Sequence, residues 1–298
     1  MSENTPPHKA GFVNIIGNPN AGKSTLMNAL LGQKLSIVTE KAQTTRHRIM
    51  GILNGDDYQI VYSDTPGVLD PKYKLHEGMM KAVGSALQDA DLILLVIDSA
   101  DRQEFHPSTL EKIKKMNVPI FVVLNKLDLI GNEKADELFQ KWNTELPQAH
   151  IFPVSALTYL YTKELLNNII RQLPASPPFF PKDELSDRTL RFFCSEIFRE
   201  KILKYYNREI PYSCEVTIES FKEEEHVTKI RAVILTERES QKAILIGHQG
   251  SALKRMATSA RKEMEAFLGR KVFLETFIKV DPDWRNNLNR LKSLGYWE

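Results

Sequence analysis

The chain has 298 residues, 42% hydrophobic and 26% charged, with a formal net charge of +2. This length supports two domains, each burying its own core, more readily than one large domain. No apolar run approaches membrane-spanning length, and Met1 to Lys9 lack the apolar core of a signal peptide, so neither a spanning segment nor a secretory leader is expected. Cys194 and Cys214 have no metal-ligand companion at a known spacing and read as small buried hydrophobes in a reducing cytosol.

Gly11 to Ile16 reads as a strand and Thr25 to Leu31 as a helix, joined by Gly17-Asn18-Pro19-Asn20-Ala21-Gly22-Lys23-Ser24. Strand, glycine-rich turn and helix in that order are the context of a P-loop. Its glycines let backbone N–H groups point at phosphate, and the new helix adds its positive dipole end. Lys23 then reaches the β- and γ-phosphates, and Ser24 offers a hydroxyl to Mg²⁺. Gly17 through Thr25 are therefore the expected phosphate-binding residues.

Strands and helices alternate from Gly11 to about Leu173, which predicts an α/β domain with a mostly parallel sheet. Phe12 to Ile16, Leu92 to Ile97 and Pro119 to Leu124 are near-continuous apolar runs, the pattern of strands covered on both faces. Each ends in a polar cluster at the sheet edge where ligands bind in such folds.

Glu40 to Arg48 has neither helical nor strand period and reads as a loop. Such a loop can act as a switch whose Thr hydroxyl joins Mg²⁺ only when a γ-phosphate is present. Thr45, directly before a strand expected from Arg46, is the first choice and Thr44 the second; Arg46, His47 and Arg48 read as a solvated strand edge. Asp64-Thr65-Pro66-Gly67 follows the strand Tyr58 to Tyr62 and is good turn chemistry in its own right. About forty residues after a P-loop it also suits a carboxylate in the Mg²⁺ shell, with Gly67 leaving space and a free N–H near the γ-phosphate.

After the strand Pro119 to Leu124 comes Asn125-Lys126-Leu127-Asp128. A carboxylate here accepts two hydrogen bonds from guanine N1–H and the 2-amino group, which adenine does not offer, so Asp128 is the expected base reader. Lys126 would lay its stem over the purine, Asn125 would tie the loop back to the P-loop, and Ser155-Ala156-Leu157, after the strand Ile151 to Val154, would give backbone N–H groups to the guanine oxygen. The paired acids Asp56-Asp57 and Asp98 with Asp101 read as solvated turns.

Pro174 to Pro181 breaks both periods and makes a stiff, extended linker. The expected division is a first domain over 10–175, a linker over 176–186 and a second domain over 187–298. The second domain reads as a helix from Asp187, its N-cap, to Tyr206; a strand over Ser213 to Ser220 with Cys214, Val216 and Ile218 on one face and Glu215, Thr217 and Glu219 on the other; a strand over Val227 to Leu235; helices over Ser240 to Ile246 and Ala252 to Leu268; and a strand over Val272 to Val280. Between the paired helices, Gly247-His248-Gln249-Gly250 lets a nucleic-acid backbone approach two helix ends, with Lys254, Arg255, Arg261 and Lys262 just beyond.

The five boxes of the first domain resemble those of the translation-factor-related GTPases, and the α-β-β-α-α-β order with Gly-x-x-Gly resembles a type II KH domain, an α+β fold. The whole chain, from about Gly11 to Arg290, resembles the Era family of bacterial ribosome-assembly GTPases, including Gln43-Thr44-Thr45-Arg46, Ser240-Gln241-Lys242 and Asp283-Trp284-Arg285. The resemblance implies GTP hydrolysis to GDP with Mg²⁺, carried by Lys23, Thr45, Gly67 and Asn20, with Ser24, Thr45 and Asp64 at the metal. It also implies a cytoplasmic monomer that binds 16S ribosomal RNA near its 3′ end during 30S subunit biogenesis, in peripheral contact with the inner membrane. The alternative is a nucleotide-responsive RNA-binding scaffold with negligible turnover. Val68 stands where small regulatory GTPases carry a Gln that orients water; relatives with Pro-Asn in the P-loop can hold K⁺ at the position of Asn20, which otherwise is a plain turn residue. His248-Gln249 stands where many relatives have a Lys, and Tyr159 to Tyr161 where relatives more often have a Gly.

Overall fold

Apolar runs that must leave water become the inner strands of a six-stranded sheet in the computed structural model of the chain, which describes residues 7–101 and 103–297. Met1–Pro6, part of the stretch read for a leader, lie outside the described residues. Two units separate by their contacts: 1–36 with 45–72 and 76–187, and 37–44 with 73–75 and 188–298.

The first unit runs β1 (Lys9–Gly17), α1 (Lys23–Leu31), β2 (Ile49–Asn54), β3 (Tyr58–Asp64), α2 (Lys74–Gln88), β4 (Leu92–Asp98), α3 (Pro107–Lys114), β5 (Ile120–Asn125), α4 (Asn132–Glu145), β6 (His150–Pro153) and α5 (Thr162–Gln172). The sheet order is β2-β3-β1-β4-β5-β6, parallel except for the antiparallel β2–β3 pair at one edge. Burial on both faces explains the runs Ile93 to Val96 and Ile120 to Leu124, all at most 1% exposed. Parallel pairing brings the carboxyl ends of β1, β3, β4 and β5 to one edge; Asp98 lies directly opposite Asn125.

Three expectations change here. The strand after the loop begins at Ile49, and Arg46 and His47 are buried rather than solvated. Arg48 forms a fork on Asp89, with Nη1 donating to Oδ2 at 2.6 Å and Nη2 to Oδ1 at 2.9 Å, while Nε and Nη2 both donate to Ser63 Oγ. The proline-rich stretch lies along the sheet, where Gln59, fully buried on β3, accepts from the amides of Phe179 and Phe180 and donates to the Phe180 carbonyl. The Phe179 ring meets Phe12 at 4.9 Å, and the Leu185 carbonyl accepts from the Ile52 amide on the edge strand. A buried amide needs all its partners, and here the linker backbone supplies three of the bonds and Asn54 Oδ1, accepting from Nε2 at 2.8 Å, another.

The second unit runs α6 (Leu190–Tyr205), α7 (Ile210–Ser213), β7 (Glu215–Glu223), β8 (Val227–Thr236), α8 (Glu239–Ile246), α9 (Ser251–Leu268), β9 (Lys271–Val280) and α10 (Leu288–Ser293). Its sheet is β7-β8-β9, with β8–β9 parallel. Helices α6, α8 and α9 pack on one face around Phe198, Ile234, Met256 and Met264, and both free cysteines lie in this core, where burial pushes the Cys194 thiol up to about 12. The N-cap of α6 is Thr189, whose hydroxyl accepts from the Phe192 amide; Asp187 instead accepts from the Met50 amide in the first unit. The register of β7 shifts between Ile218 and Ser220, and Glu215, at the start of the strand, is buried under Tyr296, whose Oη donates to Oε2 at 2.5 Å. Trp284 is fully buried with Nε1 donating to the Ser213 carbonyl, which fixes the chain after β9.

Candidate functional site

The first site forms where β1 turns into α1. Asn20 (φ 63°) and Gly22 (φ 90°) take left-handed conformations, which point successive amides to one side. Lys23 is buried with its ammonium donating to the carbonyls of Gly17 at 3.1 Å and Asn18 at 2.9 Å. Burial pushes its pKa down to about 8, with the Asp64 charge opposing. Two glycines are required by space rather than by φ: a Cβ on Gly17 would lie 2.5 Å from the Val96 carbonyl oxygen, and one on Gly67 would lie 2.7 Å from the Pro19 backbone.

Ser24, Thr45 and Asp64 converge. Ser24 Oγ donates to Asp64 Oδ2 at 2.6 Å, and Thr45 Oγ1 lies 2.8 Å from Ser24 Oγ and 3.2 Å from Asp64 Oδ2. Asp64 is fully buried, and burial raises its pKa against the pull of Ser24, Lys23, Ser36 and Thr45. Its Oδ1 has no hydrogen-bond partner. A buried carboxylate with one oxygen unpartnered and two hydroxyls beside it fits a hard divalent cation, which takes oxygen ligands. Thr44 is drawn elsewhere: its Oγ1 meets Thr39 Oγ1 at 2.7 Å and the Lys41 carbonyl at 2.5 Å. Thr65 Oγ1 donates to the Ile15 carbonyl, which holds the turn before Pro66 to β1. Val68 turns its side chain into the core, and its amide donates to the Gly17 carbonyl.

The base-side loops are tied together by Asn125, whose Nδ2 donates to the Ala21 carbonyl at 2.9 Å while Oδ1 accepts from the Ala156 amide at 3.0 Å. This connection to the P-loop matches expectation, but it changes another: the amides of Ser155 and Ala156 are already engaged, by the Leu160 carbonyl and by Asn125. Asp128 sits exposed in a short 3₁₀ turn at Leu127–Leu129, and Leu157 is 72% exposed. Tyr159 and Tyr161 both take positive φ, where a Gly would be unstrained. Asp98 is not a solvated turn: its Oδ2 accepts from Lys126 Nζ at 2.5 Å and its Oδ1 from the Ala100 amide. Sequence reasoning missed this pair, although Asp98 ends a buried strand directly across from Asn125, the residue before Lys126.

The second site is the turn between α8 and α9. Gly247 (φ 70°), Gln249 (φ 48°) and Gly250 (φ 76°) all have positive φ, and His248 and Gln249 are exposed. A Cβ on Gly247 would lie 2.6 Å from the Ala252 Cβ, whereas nothing lies within 4 Å of one on Gly250. Gln241 anchors the start of α8, its side-chain oxygen accepting from the amides of Glu237 and Arg238. Lys254, Arg255 and Lys262 are exposed on α9, and Arg255 lies over the Tyr205 ring at 5.5 Å. Arg261 is instead half-buried and donates to Glu265 at 2.8 Å, the carboxylate that also accepts from the Val272 amide, so it braces α9 against β9. Among the described residues no helix is long and apolar enough to cross a membrane, and no group of three or more His, Cys, Asp and Glu side chains is placed to hold a metal ion.

Residues 12–126 match the family described as 50S ribosome-binding GTPase, and residues 209–285 match the KH domain. GTPase Era of Clostridium kluyveri is 42% identical over 290 residues, covering 97% of this chain and 99% of that one. A crystal structure of Era in complex with MgGDPNP and nucleotides 1506–1542 of 16S ribosomal RNA superposes with a TM-score of 0.94 at 38% identity, over 98% of this chain and all of that one. An Aquifex aeolicus Era variant bound to GDP·AlF₄⁻ superposes with a TM-score of 0.93 at 38% identity, over 97% of this chain and 100% of that one. A P-loop half and a KH half in this order, with that identity across nearly the whole length, place the chain in the Era family of GTPases.

Proposed function

We infer that this chain binds and hydrolyses GTP in its first unit and binds small-subunit ribosomal RNA near its 3′ end through its second. The observation that carries the first half is the convergence of Ser24, Thr45 and the half-unpartnered Asp64 beside Lys23. Ser24, Thr45 and Asp64 would hold Mg²⁺, which supplies charge neutralisation on the phosphates when bound. Lys23 adds a buried cation for the β- and γ-oxygens, and Asp128 reads guanine from an exposed turn with Lys126, steadied by Asp98, along the purine face. Thr45 is the group that responds to the γ-phosphate, and Gly67 brings the next backbone segment against Pro19 without a side chain between. The open Gly247–Gly250 turn with Lys254 and Arg255 supports the second half, together with the relative solved with nucleotides 1506–1542 of 16S ribosomal RNA.

The division of labour follows residues 10–175 for GTP and 187–298 for RNA, in a cytoplasmic monomer that serves 30S subunit biogenesis and touches the inner membrane peripherally. With Val68 turned into the core, no side chain there orients water; that favours help from a monovalent cation, K⁺, held with Asn20, and it is also what a scaffold with negligible turnover would look like. Single-turnover GTP hydrolysis in K⁺ and in Na⁺ at equal ionic strength, with and without RNA of the small-subunit 3′ sequence, separates the two. A K⁺-dependent rate lost in Asn20→Ala supports the enzyme reading; no measurable turnover in any arm supports the scaffold.

A further inference from the structure

The strongest buried charge outside both sites is Arg199 on α6. It is fully buried, and Glu196, one turn earlier and also buried, accepts from its Nε at 2.8 Å and its Nη2 at 2.6 Å. The rest of the guanidinium donates to two successive backbone carbonyls, Nη1 to Gln43 at 3.2 Å and Nη2 to Thr44. Both carbonyls belong to 37–44, the part of the expected switch loop that folds within the second unit. The same segment is held to α6 twice more. The Val38 amide donates to Glu200 Oε1 at 3.4 Å, and Lys41 Nζ donates to the Leu203 carbonyl at 2.5 Å, to the Tyr206 carbonyl and to Asn207 Oδ1 at 2.8 Å, where a cation suits the helix C-terminus. Gln43 is further constrained by a positive φ of 59°.

A buried Arg–Glu pair is weak evidence for stability, because an apolar pair of similar volume serves as well. What an apolar pair cannot do is bridge two consecutive carbonyls with a planar fork. The residue after Thr44 is Thr45, whose hydroxyl stands 2.8 Å from Ser24 and 3.2 Å from Asp64. We propose that Arg199, oriented by Glu196, is a positioning residue for the nucleotide site: by holding the Gln43 and Thr44 carbonyls it fixes the peptide that enters Thr45, and with it the direction of the Thr45 hydroxyl. The proposal rests on the reading of Thr45 as the group that senses the γ-phosphate.

The test uses the full chain. Affinities for Mg-GDPNP and for GDP are measured in wild type, in Thr45→Ala, in Arg199→Lys, which keeps a cation beside Glu196, and in the double variant Glu196→Gln with Arg199→Met, which removes both members of the pair. The preference for Mg-GDPNP over GDP is expected to fall about tenfold in the double variant, and by less in Arg199→Lys, with GDP affinity and RNA affinity unchanged. Amide exchange over residues 43–46 in the nucleotide-free chain is expected to quicken in the same order, a readout that needs neither metal nor turnover. If Thr45→Ala keeps the wild-type preference, the reading of Thr45 fails. If Thr45→Ala loses it while both Arg199 variants keep it, with exchange over 43–46 unchanged, the reading of Thr45 stands and Arg199 is only structural.

Discussion

The two glycine-containing turns proposed to meet phosphate, the P-loop and Gly247–Gly250, are built in opposite ways. Around the P-loop, the space a side chain would need is already taken by protein: Cβ atoms on Gly17, Gly22 and Gly67 would lie 2.5 Å from the Val96 carbonyl, 2.3 Å from Asn125 Nδ2 and 2.7 Å from Pro19. At Gly250 nothing lies within 4 Å. The first turn is closed by its own fold and shaped for one small polyanion. The second is open on the side where a polymer backbone can pass, and its glycine is there for φ and for access. A closed site gains affinity and selectivity from preorganised partners, whereas an open one relies on charge and the absence of bulk.

Asp128→Asn should disturb the closed site most. The amide reverses the hydrogen-bond sense at the guanine edge and leaves polar groups unpaired, so GTP affinity should fall by about 3 kcal/mol or more while xanthosine triphosphate begins to bind. Competition titration with the two nucleotides decides it, and unchanged GTP affinity would remove Asp128 as the base reader. Gly67→Ala comes next. The new methyl must displace Pro19, and a shift of that kind in the P-loop should cost about a hundredfold in kcat/KM for GTP with RNA affinity intact. Wild-type hydrolysis in that variant would show that the approach to Pro19 is not needed for function.

The open site should tolerate volume and resist charge. Gly250→Ala meets only the left-handed strain, roughly 1 kcal/mol, whereas Gly250→Asp places a carboxylate where RNA phosphates must come and should abolish binding of a small-subunit 3′ oligonucleotide in an anisotropy titration, with GTP affinity unchanged. Equal RNA affinities in the two variants would mean that the turn does not meet the backbone.

The smallest effect is a proton. Burial lowers the Lys23 pKa from 10.5 to about 8, so at pH 8 about half of the nucleotide-free chains carry a neutral amine there. Phosphates restore the charged form, and GTP binding at pH 8 should therefore take up about half a proton, which vanishes near pH 6.5 and in Lys23→Ala; calorimetry in buffers of different ionisation enthalpy measures it. For folding the sign runs the same way. Between about pH 8 and 10.5 the unfolded chain holds a proton that the folded chain has released, so this lysine makes the nucleotide-free protein more stable as pH rises through that window.

The nucleotide boxes were legible in the sequence because each is a short run of chemistry at the end of a strand, and apolar runs such as Leu92 to Ile97 announce where such strands end. The Gly247–Gly250 turn was legible for the same reason, lying between two helical periods. What local pattern could not determine was partnership across the chain. Asp98 looks like a turn acid until β4 and β5 pair and set it opposite Asn125 within reach of Lys126. Arg46 and Arg48 look solvated because nothing nearby in sequence could neutralise them, yet Arg48 finds Asp89, 41 residues away. Arg261, one of several basic residues after the turn, is set apart from Lys254 only by Glu265 and the edge of β9.

Hydrophobic period and turn chemistry act over a few residues, so the sequence by itself determined the elements, their order and the residue types offered to each site. The place before a strand ranked Thr45 ahead of Thr44, but which of the two faces Ser24 and Asp64 was settled only by tertiary structure. Thr44 and Thr45 have the same side chain and nearly the same neighbours, but the chain from Ile37 to Thr44 is drawn onto α6 by Lys41 and Arg199, whereas Thr45 enters the first unit. Only a partner about 155 residues away, acting through the low-dielectric interior where its hydrogen bonds are strong, could break that tie.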